Sequence, residues 1–217
     1  MTISVIIVAA GSSKRLGGKV NKPYLNIKGK PALYYSIKTF LSLNMIKEVL
    51  VVIREKDETM FRSLLNKYIF FGVKYTYGGK ERKDSVLNGL NALENKKGIV
   101  LIHDAARPFV SKELVSRVIK ASVKYRAAIP VIPVKDTVKY SKNGTFVEKT
   151  LNRNELFLAQ TPQGFDFTLL MKSNLKALLK KTPITDDAML MESAGVKTAL
   201  VKGDENNIKI TTIEDLA

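Results

Sequence analysis

The chain has 217 residues, no cysteine and a formal net charge of +16. Its length suits a single domain spanning residues 1–217, and the lack of cysteine excludes disulfides, thiolate metal sites and a cysteine nucleophile. No apolar run reaches the roughly 18 residues of a membrane-spanning helix, and the N-terminus has no secretory signal pattern, so we expect a cytoplasmic protein.

The positive charge is spread along the chain rather than gathered in one segment. The lysines form no long block of like charges, and the aromatic residues lack the interleaved basic pattern of a base-stacking surface. We therefore expect an anionic small-molecule substrate, drawn in by the positive field, and do not expect nucleic-acid binding.

Apolar runs that predict strands alternate with amphipathic segments that predict helices. In chain order the predicted strands are Ile3–Val8, Glu48–Ile53, Val73–Tyr77, 99–103, Ala127–Pro133, 197–201 and 208–210. The predicted helices are 31–43, Glu58–Tyr68, 84–93, 111–125, 167–179 and 186–194, and the chain stops in what resembles the start of a further helix. Nearly continuous apolar strands separated by helices are typical of a doubly wound, mostly parallel α/β sheet, which binds ligands beyond the carboxyl ends of its strands.

One segment interrupts this alternation. Residues 136–141 and 145–151 predict two short strands around Asn143-Gly144, a strong signal for a two-residue hairpin turn. A hairpin inserted at 134–151 would project from the sheet as an arm. Because an isolated hairpin is barely stable in water, we expect this arm to pack on a partner subunit, with packing on its own domain as the alternative.

The loop after the first strand is rich in small and cationic residues. It reads Ala9-Ala10-Gly11-Ser12, followed by Arg15 and by Lys22-Pro23. Small residues let backbone N–H groups approach a phosphate, and the cations neutralise its charge. A Walker A loop is excluded because Gly18-Lys19 is followed by Val20, and the dinucleotide pattern Gly-x-Gly-x-x-Gly is also missing. The loop predicts a polyphosphate site of another kind.

The fourth strand leads into Asp104-Ala105-Ala106-Arg107-Pro108. At that sheet edge Asp104 could hold Mg²⁺, directly or through water, or accept hydrogen bonds from substrate hydroxyls. Arg107 could contact a phosphate or brace the loop, and the sequence leaves both open. His103, the only histidine, falls inside the strand pattern, so we expect it to pack in the core rather than act as a general base.

Three further segments carry candidate binding residues. Gly78-Gly79 follows the third strand and would let the backbone approach a flat base, while Ser85 could reach the base or cap the next helix. Thr185 precedes a helix and could bind an anion. Lys209 lies in an otherwise apolar run, which is costly without a counter-charge, and we favour a substrate phosphate over a structural carboxylate as that partner.

Together these segments resemble the 2-C-methyl-D-erythritol 4-phosphate cytidylyltransferase family over nearly the whole chain. The matching pieces are Ala9-Ala10-Gly11, Arg15, Lys22-Pro23, Gly78-Gly79, Asp84-Ser85-Val86, His103-Asp104-Ala105-Ala106-Arg107-Pro108, Asp136-Thr137, Arg153-Asn154, Thr161-Pro162-Gln163, Thr185-Asp186 and Asn207-Ile208-Lys209. The resemblance implies a Rossmann-like nucleotidyltransferase sheet, CTP and a sugar-alcohol phosphate as substrates, Mg²⁺ as the cofactor, and CDP-methylerythritol and pyrophosphate as products.

The resemblance also implies roles for individual residues. Arg15 and Lys22 would stabilise the α-phosphate and the leaving pyrophosphate, and Arg153 and Lys209 would grip the attacking phosphate, with Arg153 reaching over from the partner of a homodimer. CTP would contact Ala9, Ala10, Gly11, Ser12, Gly78, Gly79, Lys80, Ser85 and Ala105. The second substrate would contact Asp104, Arg107, Thr137 and Thr185. At Lys80 the family often has an acidic residue, which leaves recognition of cytosine by that side chain open.

Two other functions remain open at this level. Ribitol 5-phosphate cytidylyltransferases resemble the chain in fold and loop, but they more often read Ala-Gly-Gly in the first loop and Asp-Ala-Val-Arg-Pro after the fourth strand. A basic nucleotide- or RNA-binding module without enzymatic activity would bind RNA in a salt-sensitive way and release no pyrophosphate.

Overall fold

The computed structural model describes residues 1–11, 21–180, 184–212 and 215. Its strands are β1 (Ile3–Val8), β2 (Asn26–Ile27), β3 (Lys30–Pro31), β4 (Glu48–Ile53), β5 (Val73–Tyr77), β6 (Ile99–Asp104), β7 (Ala127–Pro133), β8 (Lys139–Tyr140), β9 (Lys149–Thr150), β10 (Phe157–Ala159), β11 (Gln163–Asp166) and β12 (Ala199–Lys202). Its helices are α1 (Ala32–Leu41), α2 (Glu58–Tyr68), α3 (Arg82–Ala92), α4 (Lys112–Tyr125), α5 (Phe167–Lys180) and α6 (Asp187–Ser193).

The central sheet has the order β10-β7-β11-β6-β1-β4-β5, with β12 also paired to β7. Strands β6, β1, β4 and β5 are mutually parallel, whereas β10 and β11 run antiparallel to their neighbours. The parallel strands connected by helices confirm the predicted doubly wound, mostly parallel α/β class.

Both faces of the central strands β6, β1 and β4 are covered, which explains why these strands are almost continuously apolar. On β1, Val5 and Ile7 pack in one core cluster together with Phe40 of α1. The intervening Ile6 packs in a second cluster with Leu90 of α3. Successive strand residues point to opposite faces, so each face of β1 contributes to a different core.

The clearest differences from the prediction are the start of one helix and the absence of one predicted strand. The helix predicted at 84–93 begins at Arg82, because the N-cap is Glu81, whose backbone N–H donates to Asp84 Oδ2 at 3.0 Å in a capping box. Residues 208–210 form no strand. They cross the carboxyl edge of the sheet instead, where the Ile210 N–H donates to the Ala106 carbonyl at 2.8 Å.

The arm at 134–151 contains no buried residue. Its ladder is shorter than predicted, with only β8 and β9 paired, and the two-residue turn is replaced by the longer loop 141–148. The reason is that side chains close this loop: Asn143 Oδ1 accepts from the Thr145 N–H at 3.0 Å, and Glu148 Oε1 accepts from the Lys142 N–H at 2.8 Å. Phe146 at the tip is 74% exposed.

The start of β6 offers a test of how closely the chain is packed. Gly98 has φ +82°, and a Cβ there would lie 2.1 Å from the Thr2 carbonyl oxygen. We expect Gly98→Ala to lower the free energy of unfolding by about 2–4 kcal/mol, because alanine is strained at this φ angle and its Cβ also clashes with the main chain of Thr2. Urea unfolding monitored by circular dichroism measures the loss.

The matched control for this substitution is Gly144→Ala in the arm. Gly144 has φ +73°, similar to Gly98, but no atom lies within 4 Å of the added Cβ. We expect this variant to lose about 1 kcal/mol or less. Equal losses in the two variants would show that the contact with Thr2 does not matter.

Candidate active site

A cleft of about 760 Å³ opens at the carboxyl ends of the parallel strands, as predicted. Its walls are the loops that follow β1, β4, β5 and β6, together with residues around 21–23 and Lys209. Among the described residues, the charged ones that line it are the cations Lys22, Arg54, Lys80, Arg82 and Lys209 and the carboxylates Glu55, Glu81 and Asp104. Because cations outnumber carboxylates in this lining, the cleft favours an anionic ligand.

The floor of the cleft is built from main chain and small side chains. The Ala9 N–H donates to the Val52 carbonyl at 2.7 Å, and the Ala105 N–H donates to the Val8 carbonyl at 3.1 Å. Both alanine side chains are buried, while Ala10 and Gly11 also line the cleft. The predicted CTP residue Ser12 and the predicted catalytic Arg15 lie outside the described residues.

The two glycines after β5 are required by packing within the protein. A Cβ on Gly78 would lie 2.4 Å from the Ala10 Cβ, and one on Gly79 would lie 2.4 Å from the Asp84 Cβ. Ser85 Oγ accepts from the Gly79 N–H and donates to the Glu81 carbonyl, each at 3.1 Å. Ser85 therefore holds the loop and is not the helix N-cap, while Lys80 lies exposed on the wall of the cleft.

Asp104 is the electrostatic centre of the site. Its Oδ2 lies 2.6 Å from Lys209 Nζ, and its Oδ1 lies 3.3 Å from Arg82 Nε. Burial alone would raise the pKa of Asp104, but the two cations overcome that effect and hold the pKa well below its usual range. Asp104 is therefore ionised at neutral pH.

Arg82 connects Asp104 to α6 and was missed by the sequence analysis. Its Nη2 lies 2.8 Å from Asp187 Oδ2, and Asp187 is almost fully buried. Burial raises the pKa of Asp187, the neighbouring Arg82 lowers it, and Asp104 raises it further. The sequence around Arg82 shows only that a cation follows the glycine-rich loop. Nothing in the spacing predicts that this cation pairs with both Asp104 and Asp187, which are more than eighty positions apart.

His103 is a core residue, as predicted. It is fully buried against the Phe40 ring, with 5.1 Å between ring centroids. Its Nε2 lies 3.0 Å from the Arg107 carbonyl, which can only accept, and its Nδ1 lies 3.1 Å from Thr161 Oγ1. Nε2 therefore carries the proton. Burial lowers the pKa of His103 to about 4, so the ring is neutral at physiological pH.

Lys209 is placed differently from the prediction. It lies in an irregular segment with its side chain 43% exposed, so burial in a strand does not force a counter-charge on it. Its partner in the structure is Asp104, a carboxylate of the protein, and its contact with a substrate phosphate stays a prediction. Lys22 also faces this segment, and its Nζ donates to the Thr211 carbonyl at 2.9 Å and to the Ile210 carbonyl at 3.3 Å.

Arg107 braces the protein rather than lining the cleft. Its Nη1 donates to the Asn207 carbonyl at 2.6 Å, and its Nη2 donates to the Ala159 carbonyl at 3.3 Å. Arg107 is not among the described residues of the cleft wall, and burial lowers its pKa. Of the two roles that the sequence leaves open for Arg107, these hydrogen bonds show the brace, and a contact of Arg107 with the second substrate stays a prediction.

Three other predicted residues do not reach this cleft. Thr137 is exposed in the arm, and Arg153 lies just beyond the arm with its Nη1 donating to the Lys135 carbonyl at 2.8 Å. Thr185 is exposed one residue before Asp186, which caps α6 by accepting from the Met189 N–H at 2.9 Å. Within one chain, none of the three belongs to the described cleft wall.

Neither a protein-built metal centre nor a membrane span is present in the described ranges. Those residues contain no group of three or more His, Cys, Asp or Glu side chains placed to hold a metal ion. Both carboxylate oxygens of Asp104 face cations of the protein. No helix in the described part of the chain is long and apolar enough to cross a membrane.

Comparison of the sequence with known families and proteins agrees with this geometry. The family model for 2-C-methyl-D-erythritol 4-phosphate cytidylyltransferase matches residues 3–217. A relative of that name from Caldanaerobacter subterraneus subsp. tengcongensis is 45% identical over 218 residues, which cover 100% of this chain and 96% of the relative. One from Clostridioides difficile is 42% identical over 214 residues, covering 98% and 90%.

Solved structures agree over the same length. The 4-diphosphocytidyl-2C-methyl-D-erythritol synthase of Anaerococcus prevotii superimposes with a TM-score of 0.89 at 37% identity, covering 99% of this chain and 92% of that one. The 2-C-methyl-D-erythritol 4-phosphate cytidylyltransferase of Thermus thermophilus gives 0.80 at 33% identity, covering 100% and 96%. With its Rossmann-like sheet, cationic cleft and full-length similarity, the chain belongs to the 2-C-methyl-D-erythritol 4-phosphate cytidylyltransferase family.

Proposed function

We propose that the protein transfers a cytidylyl group from CTP to 2-C-methyl-D-erythritol 4-phosphate, in the non-mevalonate route to isoprenoids. The observation that carries this proposal is the cationic cleft at the carboxyl edge of the sheet in a chain of this family. A phosphate oxygen of the second substrate attacks the α-phosphorus of CTP. The bond from that phosphorus to the oxygen bridging it to the β-phosphate breaks, and pyrophosphate leaves.

This reaction needs no general base, because the attacking phosphate is already an anion. The neutral, fully buried His103 is consistent with that requirement. The obstacle is the repulsion between an anionic nucleophile and an anionic triphosphate. Positioning and electrostatic stabilisation by fixed cations lower such a barrier.

Two lysines of the cleft are proposed to supply much of that stabilisation. Lys22, with Arg15, would contact the α-phosphate and the leaving pyrophosphate, exchanging the carbonyls it now faces for phosphate oxygens. Lys209 would contact the attacking phosphate in place of, or together with, Asp104. Asp104 would then be left to receive hydrogen bonds from the hydroxyl groups of the second substrate.

The remaining contacts to CTP are proposed along the floor and one wall of the cleft. Residues from Ala9 to Ser12, together with Ala105, would meet the phosphates and ribose. Gly78, Gly79, Lys80 and Ser85 would surround the base. Because Ser85 already binds the Gly79 N–H, its part in base recognition would be to fix the backbone groups of this loop.

Mg²⁺ is proposed as the cofactor, carried mainly by the oxygens of the triphosphate. The protein offers Asp104 as a carboxylate at the strand ends, but both its oxygens face cations, so contact through water fits better than direct coordination. When bound, the ion neutralises phosphate charge. The positions of CTP and of the second substrate are proposed to depend on the protein's own residues.

A homodimer is proposed through the arm. Arg153 and Thr137 lie outside the cleft of their own chain, and the arm exposes Phe146 and Val147 at its tip. Burial of such apolar side chains against a second copy would stabilise the arm. Arg153 and Thr137 would then complete the phosphate site of the other subunit.

The choice of substrate is tested by measuring pyrophosphate release from CTP and Mg²⁺ with either of two acceptors. We expect release with 2-C-methyl-D-erythritol 4-phosphate and none above background with ribitol 5-phosphate. Release with ribitol 5-phosphate alone would keep the mechanism and overturn the substrate. Release with neither, together with salt-sensitive RNA affinity, would favour a binding module.

The role of Lys22 is tested by Lys22→Ala. We expect kcat to fall at least about a hundredfold, which corresponds to about 3 kcal/mol of lost transition-state stabilisation. The matched control is Lys120→Ala, which removes an exposed lysine on α4 and should keep wild-type turnover. Full CTP binding with unchanged turnover in Lys22→Ala would refute the proposed role.

The contribution of Arg153 across the dimer is tested by mixing two inactive variants. Lys22→Ala and Arg153→Ala subunits, co-expressed at equal levels, form heterodimers in which one site has both side chains intact. With random pairing about half of the dimers are mixed, and one of the two sites in each mixed dimer is intact. About a quarter of all sites should therefore be active. If Arg153 acts within its own chain, the mixture will be no more active than the separate variants.

A further inference from the structure

Gln160 is a buried polar residue behind the cleft, in the short connection between β10 and β11. Its side chain is only 3% exposed. Its backbone N–H donates to the Pro130 carbonyl at 2.8 Å, which ties the residue to β7. A glutamine amide in this position must find a partner for both its donor and its acceptor.

The partner of this amide is the backbone of the segment that carries Lys209. Gln160 Oε1 accepts from the Asp204 N–H at 3.1 Å, and Gln160 Nε2 donates to the Asp204 carbonyl at 2.8 Å. The same Nε2 lies 3.4 Å from the Asn207 carbonyl. The amide of Gln160 thus bonds both the N–H and the carbonyl of Asp204, as the backbone of a neighbouring strand would. Residues 203–209 themselves form no strand.

The segment is pressed closely against Gln160. A Cβ on Gly203 would lie 2.7 Å from Gln160 Oε1 and 2.9 Å from the Val131 carbonyl oxygen. The Gly203 N–H donates to that carbonyl at 2.8 Å. Only glycine lets the chain pass at this distance, so the pairing is a tight, built contact rather than a loose surface bond.

From this point the chain reaches Lys209 through a series of further hydrogen bonds. The Asn207 N–H donates to the Asp204 carbonyl at 3.0 Å, and Asn207 Nδ2 donates to the Thr161 carbonyl at 2.8 Å. Two residues later, Lys209 Nζ lies 2.6 Å from Asp104. The position of the ammonium group therefore depends on where Asp204 and Asn207 are held.

We propose that Gln160 is a positioning residue for Lys209. It does not line the cleft in the described chain, so its effect passes through the backbone of residues 203–209. The inference rests on the role proposed for Lys209 in gripping the attacking phosphate. Removing the amide would let this segment shift, and small displacements of a charged group in a cleft of this kind are costly for turnover.

The first test is Gln160→Met, which keeps the size of the side chain and removes its hydrogen bonds. We expect the KM for 2-C-methyl-D-erythritol 4-phosphate to rise about tenfold and kcat to fall several-fold, while the KM for CTP changes less than about twofold. The matched control is Asn174→Leu, which removes a similarly buried amide from α5. It should lower thermal stability without changing either KM.

Gln160→Glu provides a second variant, should the methionine variant fail to fold. It keeps an acceptor for the Asp204 N–H but places a carboxylate oxygen against the Asp204 carbonyl. We expect the same selective rise in the KM for the polyol phosphate. A loss of thermal stability with both KM values unchanged would assign Gln160 a purely structural role and overturn the proposal.

A double-mutant cycle with Lys209→Ala separates the two roles. If Gln160 acts through Lys209, Gln160→Met will change the KM for the polyol phosphate little further once Lys209 is alanine. Fully additive effects would overturn the positioning role and leave that of Lys209 intact. Wild-type constants in Lys209→Ala would refute the role of Lys209 itself, and the inference with it.

Discussion

The site depends on one interaction, the pairing of the Asp104 carboxylate with Lys209 and Arg82. A carboxylate at the end of a buried strand is strongly destabilising without a partner, and here two cations from distant parts of the chain compensate for its burial. Lys209 brings the C-terminal segment over the strand ends. Arg82 brings the start of α3 and, through Asp187, the start of α6. One charge therefore determines where three segments meet.

This arrangement keeps cations in place before any substrate arrives. Lys209 faces Asp104 and Lys22 faces main-chain carbonyls, so both ammonium groups have counter-charges or dipoles around them. An incoming phosphate would replace the neutral carbonyls around Lys22 and join Asp104 beside Lys209, so little reorganisation would be needed at the moment of reaction. Pre-organised charge aimed at the reacting groups is commonly the largest single contribution to the stabilisation of a transition state.

The sequence was sufficient for features that depend on local pattern. Continuous apolar runs predicted β1, β4 and β5, and their order predicted the edge where the cleft lies. It was insufficient where distant segments decide the structure. Arg82 was missed because its two carboxylates are far apart in sequence, and Gln160 because it pairs with backbone 44 positions away. Residues 208–210 were wrongly predicted as a strand. Their apolar character does not reveal that their backbone polar groups bond to side chains and to a single loop carbonyl instead of to a neighbouring strand.

The same network includes Arg107, which lies outside the described cleft wall. Its guanidinium holds the Asn207 carbonyl, two residues before Lys209, and Gln160 holds the same stretch from Asp204. Loss of activity on replacing Arg107 would therefore not by itself indicate contact with substrate, because the change would also release the segment that carries Lys209. An irregular segment makes this possible, since its position is set by the few side chains that bind its backbone and not by a continuous ladder.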